Sequence, residues 1–246
     1  MTEDVTEDWL LNEAVRIFQP RTGYRAGLDA VLLAAFLSGD HRTKALELGC
    51  GVGGALFPAA WRLNTTHFTG LEREPHMAEL ARRGATANAV SDRVDVVTGD
   101  AAELPSDWQN RFDLVFSNPP YFSHGKIQNP SEGRRHAYMA DLPLQDWLKA
   151  MLFAACPKGR LVLIHRAGEL GEILTYLMSR AGEISVFPIR SSPGEPAKRV
   201  IVSGRKGLRR GEIVLHDGLT MYERKGGRDY TAEALAIMAG GPIVLP

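Results

Sequence analysis

Short apolar segments that alternate with helical segments constrain the fold of this chain more than any other feature of its sequence. The pattern over residues 44–117 predicts strand 44–49, helix 54–63, strand 66–72, helix 75–89, strand 93–98 and strand 112–117. Further along it predicts helix 143–156, strand 159–165, helix 169–180 and a strand pair at 183–189 and 199–203. Strands that alternate with helices form a parallel sheet with both faces covered. We therefore expect an α/β fold.

Length and composition fit one enzyme-sized domain. A chain of 246 residues with 44% hydrophobic residues buries a sizeable core. We expect a single domain over 1–246, with a helical lead-in at 1–43 and a core with a C-terminal extension at 44–246. No segment approaches the roughly 20 apolar residues of a membrane helix, and the start of the chain is acidic rather than basic as in a signal peptide. We therefore expect a cytoplasmic protein.

Cysteine and histidine usage argues against a disulfide framework and a metal site. The two cysteines, Cys50 and Cys156, give no framework of bridges. The seven histidines and two cysteines show no metal-ligand spacing. We therefore expect neither a disulfide-stabilised fold nor a metal centre.

A glycine-rich loop follows the first strand of the predicted core. Gly49-Cys50-Gly51-Val52-Gly53-Gly54 lies between strand 44–49 and the next helix. Glycines let the backbone turn tightly and approach a ligand closely beside a helix N-terminus. The loop also satisfies the dinucleotide-binding pattern GxGxxG, so by itself it does not identify the ligand.

Acidic side chains follow the next two predicted strands. Glu72 ends strand 66–72 and is placed to accept hydrogen bonds from both hydroxyls of a ribose. Asp100 follows strand 93–98 and could accept from an adenine amino group. Either acid could instead be a solvated loop residue or a helix cap. Because the carboxyl ends of parallel strands meet at one edge of a sheet, their coincidence with the glycine loop favours a ligand site.

The motif Asn118-Pro119-Pro120-Tyr121 follows strand 112–117 directly. A nitrogen whose lone pair is delocalised into a ring or a carbonyl is a poor nucleophile. The Asn118 side-chain oxygen and the Pro119 carbonyl could hold its two N–H bonds and localise the lone pair. Proline keeps the turn rigid, and Tyr121 offers a stacking surface for a base. An ordinary proline turn has the same local sequence, but the motif suits methyl transfer to a planar nitrogen.

Together these motifs resemble those of class I S-adenosylmethionine-dependent methyltransferases, and within them the valine-tRNA adenine-N6 methyltransferase family. The resemblance implies a Rossmann-like, seven-stranded, mostly parallel sheet with helices on both faces and an antiparallel last strand. It implies S-adenosyl-L-methionine as the cofactor, bound by Arg25, Glu47, Gly49, Cys50, Gly51, Gly53, Glu72, Asp100, Ala101 and Asn118. It also implies that the catalytic residues are Asn118, Pro119 and Tyr121.

Two further stretches support the resemblance to the narrower family. Gly23 to Leu33 resembles the segment before the core that packs near the methionine end of the cofactor, and Arg134 to Ala137 resembles the basic loop after the NPPY motif. The resemblance implies tRNA as the substrate, methylated at the adenine next to the anticodon. The implied RNA-binding residues are Pro120, Tyr121, Phe122, Arg134 and Arg135. We expect the loop 122–141 to be a lid that orders when the substrate binds.

The charge distribution is compatible with this substrate. The net charge is zero, but acidic residues predominate over 1–123 and basic residues over 124–246. Phosphate backbones require cations, which the second half of the chain supplies.

The residues leave other functions open. The NPPY chemistry also serves methylation of glutamine amides in release factors and of guanine N2 in rRNA, because all these acceptors present a planar NH2 group. The GxGxxG loop permits a nicotinamide-dependent oxidoreductase, a function that leaves the NPPY motif unexplained. A non-enzymatic RNA-binding protein would require a damaged catalytic motif, and Asn118 to Tyr121 is complete.

Overall fold

The structure is a computed structural model that describes residues 5–23, 25–120, 142–209 and 211–245. Its helices and strands, in chain order, are β1 (Val5–Leu10), β2 (Val15–Pro20), α1 (Leu28–Phe36), β3 (Lys44–Leu48), α2 (Leu56–Arg62), β4 (His67–Glu72), α3 (Pro75–Ala87), β5 (Val94–Thr98), β6 (Phe112–Ser117), α4 (Leu144–Ala154), β7 (Ala155–Arg166), α5 (Leu170–Leu177), β8 (Ala181–Arg190), β9 (Ala197–Lys206), β10 (Val214–Leu215), β11 (Leu219–Thr220) and α6 (Ala232–Met238).

The central sheet orders its strands β10-β8-β9-β7-β6-β3-β4-β5, and β11 also pairs with β8. The strands β3 to β7 pair in parallel, whereas β9 is antiparallel to both β7 and β8. The predicted core of seven mostly parallel strands with an antiparallel last strand is therefore confirmed. The two-residue strands β10 and β11 are additions at the β8 edge, and segments this short have no periodicity from which to predict them.

Helices cover both faces of the sheet, as the sequence predicts. Alternate residues of each strand point to opposite faces, so Val162 and Ile164 of β7 join the apolar cluster beneath α1 and α2. Leu161 and Leu163 join the cluster beneath α4 and α5. Both clusters reach the carboxyl ends of the parallel strands, which fixes the positions of the residues that follow those strands.

The N-terminal segment corrects the expected helical lead-in. Of the described residues in 5–43, only Leu28–Phe36 form an α-helix, and the preceding segments Val5–Leu10 and Val15–Pro20 form the antiparallel hairpin β1–β2. The side chain of Asn88, at the end of α3, bonds the backbone N–H of Arg16 at 2.8 Å and its carbonyl at 2.6 Å. Val15, Ile17 and Phe18 are buried, because β-branched and aromatic residues pack well on a half-buried strand.

Gly27 occupies the N-cap position of α1 without a side-chain bond, and Asp29 in the first turn pairs with Arg199 at 2.8 Å. One helix boundary differs from the sequence prediction. Helix α4 begins after Pro143 as expected but ends at Ala154, and β7 starts immediately, four residues before the predicted strand.

The C-terminal segment packs against α1. Thr231 caps α6 by accepting a hydrogen bond from the backbone N–H of Ala234 at 3.2 Å. Beyond α6, the Ile243 N–H donates to the Ala35 carbonyl at 2.9 Å. Among the described residues, no helix is long and apolar enough to cross a bilayer.

Candidate active site

A cavity of about 580 Å³ lies at the carboxyl ends of β3, β4, β5 and β6. Its volume is within the range of small-molecule sites. Most of the predicted site residues line it: Glu47, Gly49, Cys50, Gly51, Glu72, Asp100, Ala101, Asn118, Pro119 and Pro120. Two predicted cofactor residues, Arg25 and Gly53, are absent from its lining. The predicted residues Tyr121, Phe122, Arg134 and Arg135 lie outside the described part of the chain.

Two glycines of the loop have different surroundings: one faces open space and the other is packed against a side chain. Gly51 has φ +54°, and a Cβ added there would meet no atom within 4 Å. That side of the loop faces the cavity, so a ligand can approach the backbone. Gly53 has φ +90°, and a Cβ there would lie 2.2 Å from the Phe57 ring. Gly53 is therefore required for close packing of the loop against α2.

Glu72, at the end of β4, is held by two backbone donors. Its Oε2 accepts from the N–H of Gly51 at 2.8 Å, and its Oε1 accepts from the N–H of Glu74 at 2.8 Å. Each carboxylate oxygen keeps a lone pair for another donor. The carboxylate is therefore oriented before any ligand hydroxyl reaches it.

Glu47 in β3 is a carboxyl group buried at the wall of the cavity. Its side chain is almost fully buried, and its Oε2 has no hydrogen-bond partner among the described residues. Burial raises the pKa of Glu47 well above its ordinary value, Glu72 raises it further, and a hydrogen bond with the backbone of Leu56 lowers it in part. A buried charge without a partner is costly, so this site suits a cationic ligand group.

Cys50 is a packing residue within the glycine loop. Burial raises the pKa of its thiol well above the ordinary value, and the nearby carboxyl groups of Glu47 and Glu72 raise it further. A Cβ added at Gly70 would lie 2.8 Å from the Cys50 sulfur. The thiol is therefore protonated and close-packed, which makes it a poor nucleophile.

Asp100 and Ala101 form the wall of the cavity beyond β5. The Oδ1 of Asp100 accepts from the N–H of Ala102 at 2.9 Å and caps a short helical turn at Ala101–Glu103. This bond fixes the carboxylate while leaving its second oxygen for a ligand donor. Ala101 is buried beneath it.

A buried hydrogen-bond chain braces the turn at Asn118. The Ser117 hydroxyl, at the end of β6, donates to the Leu48 carbonyl at 2.7 Å. The indole N–H of Trp147 donates to the same hydroxyl oxygen at 2.8 Å. The chain joins β3, β6 and α4 immediately before Asn118 and Pro119, so the carbonyl and amide acceptors of the turn are held in place.

Trp147, Leu142 and Arg166 line the cavity but were missed by sequence reasoning. Trp147 lies on the buried face of α4, where an aromatic residue predicts ordinary core packing. Arg166 ends β7 without a recognisable motif. The only available signal was position: Arg166 follows a predicted parallel strand, as Glu72 does.

Arg25 binds the N-terminal hairpin. Its guanidinium donates to Asp8 at 2.7 Å, to the Thr6 hydroxyl at 3.1 Å and to the Pro20 carbonyl at 3.0 Å. The next residue, Ala26, lines the cavity, and its N–H donates to the Gln19 side chain at 3.0 Å. Arg25 therefore anchors the segment that closes one side of the cavity.

Comparison with known proteins places this site in a family. Residues 40–175 match the model of a methyltransferase domain. A tRNA1(Val) (adenine(37)-N6)-methyltransferase of Porphyromonas gingivalis is 30% identical over 198 residues, covering 77% of each chain. Another, of Actinobacillus pleuropneumoniae serotype 7, is 30% identical over 212 residues, covering 84% of this chain and 88% of that protein.

A solved structure supports the same assignment. A protein of Agrobacterium tumefaciens described as a predicted O-methyltransferase is 28% identical, with a TM-score of 0.72, covering 88% of this chain and 98% of that one. Residues 40–175, which match the domain model, include β3 to β6, at whose carboxyl ends the cavity lies. The chain therefore belongs to the class I S-adenosylmethionine-dependent methyltransferases, in the family of the tRNA1(Val) (adenine(37)-N6)-methyltransferases.

Proposed function

We propose that this enzyme transfers a methyl group from S-adenosylmethionine to the N6 amino group of an adenine in tRNA, adenine 37 of a valine tRNA. One observation carries the proposal. The turn Asn118–Pro119 borders the same cavity as the glycine loop, Glu72 and Asp100. An amino group held by this turn therefore faces the space in which a cofactor would lie. The names of the relatives support adenine in tRNA as the acceptor.

The residues around the cavity fit the parts of S-adenosylmethionine. Glu72 would accept hydrogen bonds from the ribose hydroxyls, and Asp100 from the adenine amino group. The buried Oε2 of Glu47 would accept a hydrogen bond from the ammonium group at the methionine end of the cofactor. This contact would stabilise the ionised form of the Glu47 carboxyl group. When bound, the cofactor supplies a methyl carbon already attached to a good leaving group. The chain's own residues provide position and desolvation.

On the acceptor side, Asn118 and Pro119 would each accept one hydrogen bond from the N6 amino group. Both bonds draw the nitrogen lone pair out of the ring and towards the methyl carbon. With the nitrogen held in this way, its bond to the methyl carbon would form as the carbon–sulfur bond breaks, and water would then take one proton from the nitrogen. A base is not needed before attack, because attack itself makes the N–H acidic.

The base must leave its stack to reach the cavity. Tyr121 is predicted to stack on the flipped adenine, with Phe122 as a further wall and Arg134 and Arg135 on the RNA. Tyr121 follows Pro120 in the chain, and Pro120 lines the cavity.

The pair of acceptors favours a nitrogen over an oxygen acceptor. A hydroxyl group has one hydrogen and would satisfy only one of Asn118 and Pro119, whereas an amino group has two. This argument separates the proposed reaction from methylation of a hydroxyl. A glutamine amide or guanine N2 also presents an NH2 group, so the product must be identified.

The decisive test is incubation with radiolabelled S-adenosylmethionine and, in parallel, an unmodified valine-tRNA transcript or total cellular protein. We expect label in the transcript and N6-methyladenosine after its digestion. A transcript with guanine in place of adenine 37 is the matched control and should remain unlabelled. Methylglutamine in digested protein, or N2-methylguanosine in RNA, would contradict the proposed acceptor.

A further inference from the structure

Arg166 and Arg199 stand directly opposite each other on the antiparallel strands β7 and β9. Directly opposite residues on one face have their Cβ atoms about 4.5–5.5 Å apart. Two like charges in this arrangement destabilise the sheet. The pair lies at the edge of the sheet that bears the cavity, and Arg166 lines the cavity.

Arg199 pairs with an acid of α1. Arg166 lies on the same face of β7 as Val162 and Ile164, beneath α1. From that helix, Asp29 accepts from the Arg199 Nε at 2.8 Å, and both side chains are mostly buried. Asp29 therefore fixes the position of Arg199 beside Arg166.

The charges of Arg166 and Arg199 both act on His165, the neighbour of Arg166 in β7. Burial lowers the pKa of His165, Glu169 raises it, and Arg166 and Arg199 lower it. Each of these charged groups therefore acts on the same buried imidazole. Asp29 pairs with Arg199, and Glu169 acts on His165.

The acidic residues of the cavity lie on the β3–β5 side: Glu47, Glu72, Glu74 and Asp100. Arg73 also lines that side, where it pairs with Glu74 at 3.4 Å. Arg166 lies on the other side of β6, where Ser117 is the register partner of Leu163. The turn after Ser117 therefore runs alongside the end of β7, with Arg166 on the acceptor side of the motif. A negatively charged group bound by Arg166 would therefore be part of the methyl acceptor, because the ribose and adenine of the cofactor would lie on the other side of the cavity.

We propose that Arg166 and Arg199 form a phosphodiester-binding site that holds the RNA backbone beside the flipped adenine. This inference rests on the proposed function, in which the acceptor is RNA. Arg166 would contact the phosphate, because a guanidinium matches its geometry with two parallel hydrogen bonds. Arg199, held by Asp29, adds positive charge and keeps Arg166 directed towards the cavity.

The test compares Arg166→Gln, Arg166→Lys and the control Arg180→Gln. Arg180 is an exposed arginine at the opposite edge of the sheet, after α5. Three substrates are used: unmodified valine tRNA, and two versions that each carry an uncharged methylphosphonate at one of the two linkages flanking adenine 37. Affinity and methylation kinetics are measured at several salt concentrations, and S-adenosylhomocysteine affinity is measured by calorimetry.

We expect Arg166→Gln to weaken tRNA binding about tenfold, as for loss of a charged hydrogen bond. The slope of log affinity against log salt should fall by about one unit. Arg166→Lys should keep the slope but bind less tightly, because it lacks the bidentate fork. On tRNA neutralised at the contacted linkage, Arg166→Gln and the unaltered enzyme should bind alike. Arg180→Gln should match the unaltered enzyme throughout.

Three results would overturn the inference. One is a salt slope for Arg166→Gln equal to that of the unaltered enzyme. Another is an equal loss of affinity in Arg166→Gln for unmodified tRNA and for tRNA neutralised at either linkage flanking adenine 37. The third is a loss of S-adenosylhomocysteine affinity in Arg166→Gln by the same factor as its loss of tRNA affinity. That result would assign Arg166 to the carboxylate of the cofactor. Failure of the unaltered enzyme to methylate tRNA would instead overturn the proposed function, so the two failures are distinguishable.

Discussion

Glu72 and Gly51 are joined by a hydrogen bond of 2.8 Å, in which the Gly51 backbone N–H donates to the Glu72 carboxylate. This bond connects the residue that ends β4 with the loop that follows β3. It also uses the carboxylate that the family resemblance assigns to the cofactor's ribose. The acid therefore has two tasks: it shapes the glycine loop and presents free lone pairs to the ligand.

Glu72→Gln should therefore weaken cofactor binding more than loss of one ribose contact alone would. A glutamine amide has a single acceptor oxygen and cannot accept from Gly51, Glu74 and both ribose hydroxyls. Loss of hydrogen bonds to a charged group costs about 1.5–3 kcal/mol each, or at least tenfold in affinity. Calorimetry with S-adenosylhomocysteine measures the effect. Glu103→Gln, at an exposed carboxylate nearby, is the control, and equal affinities for the two variants would contradict this role.

Glu47→Gln should stabilise the cofactor-free enzyme while weakening cofactor binding. The pKa of Glu47 is raised well above its ordinary value, chiefly by burial. The folded state then binds its proton more tightly than the unfolded chain does. Below the ordinary pKa the carboxyl group is protonated in both states, so it does not change the free energy of unfolding. As the pH rises from there through the raised pKa, the free energy of unfolding falls. Glutamine has nearly the same shape as glutamate but no titrating proton, so the variant does not lose stability in this way as the pH rises.

Thermal unfolding as a function of pH checks the prediction for Glu47. The melting temperature of the variant should exceed that of the unaltered enzyme at neutral pH, by roughly 2–4 °C for each kcal/mol gained. The two curves should converge at low pH, where the carboxyl group is protonated in both states. Equal melting temperatures at neutral pH, or a variant with undiminished S-adenosylhomocysteine affinity, would show that Glu47 has another role.

The sequence allowed the sheet and most of the cavity to be predicted for a physical reason. Residues that follow parallel strands must meet at one edge, so Glu72, Asp100 and Asn118 could be brought together without coordinates. The hairpin β1–β2 before α1 could not be predicted, because a short apolar segment fits helical and strand periods alike. Its identity depends on long-range contacts such as the bonds between Asn88 and Arg16.

Single residues were harder to assign than strands. Arg25 was assigned to the cofactor, yet its partners Asp8 and Thr6 lie on a hairpin that the sequence did not predict. Gly53 was grouped with the ligand-binding glycines because spacing cannot distinguish a backbone facing a ligand from one facing the Phe57 ring. The roles of Arg134 and Arg135 remain predictions.

Gly51→Ala and Gly53→Ala should separate ligand access from packing. At Gly51 an added methyl group meets no protein atom, so the variant should fold, with about 1–2 kcal/mol of backbone strain from the positive φ. It should lose cofactor affinity because the methyl group intrudes into the cavity. At Gly53 the methyl group collides with Phe57, so stability should fall further. Urea unfolding and calorimetry measure the two effects, and equal unfolding midpoints would contradict the distinction.

Asn118→Ala should separate catalysis from cofactor binding. The side-chain oxygen of Asn118 is assigned to the acceptor amino group, and that contact strengthens as the nitrogen becomes positively charged during attack. Removing one aligned transition-state partner costs about 10²–10³-fold in turnover. Affinity for S-adenosylhomocysteine should change little, because the glycine loop, Glu72 and Asp100 are unaltered. The structure of the turn should also persist, since Ser117 and Trp147 brace it from the buried side.

Single-turnover methylation of valine tRNA at saturating cofactor is the measurement for Asn118→Ala, because it reports the chemical step rather than product release. Asn64→Ala is the matched control: Asn64 is an exposed asparagine beyond α2 and outside the lining of the cavity. It should retain the turnover of the unaltered enzyme. Near-normal single-turnover rates for Asn118→Ala would show that the amide does not hold the reacting nitrogen. A fall in cofactor affinity as large as the fall in rate would instead place Asn118 in the cofactor site alone.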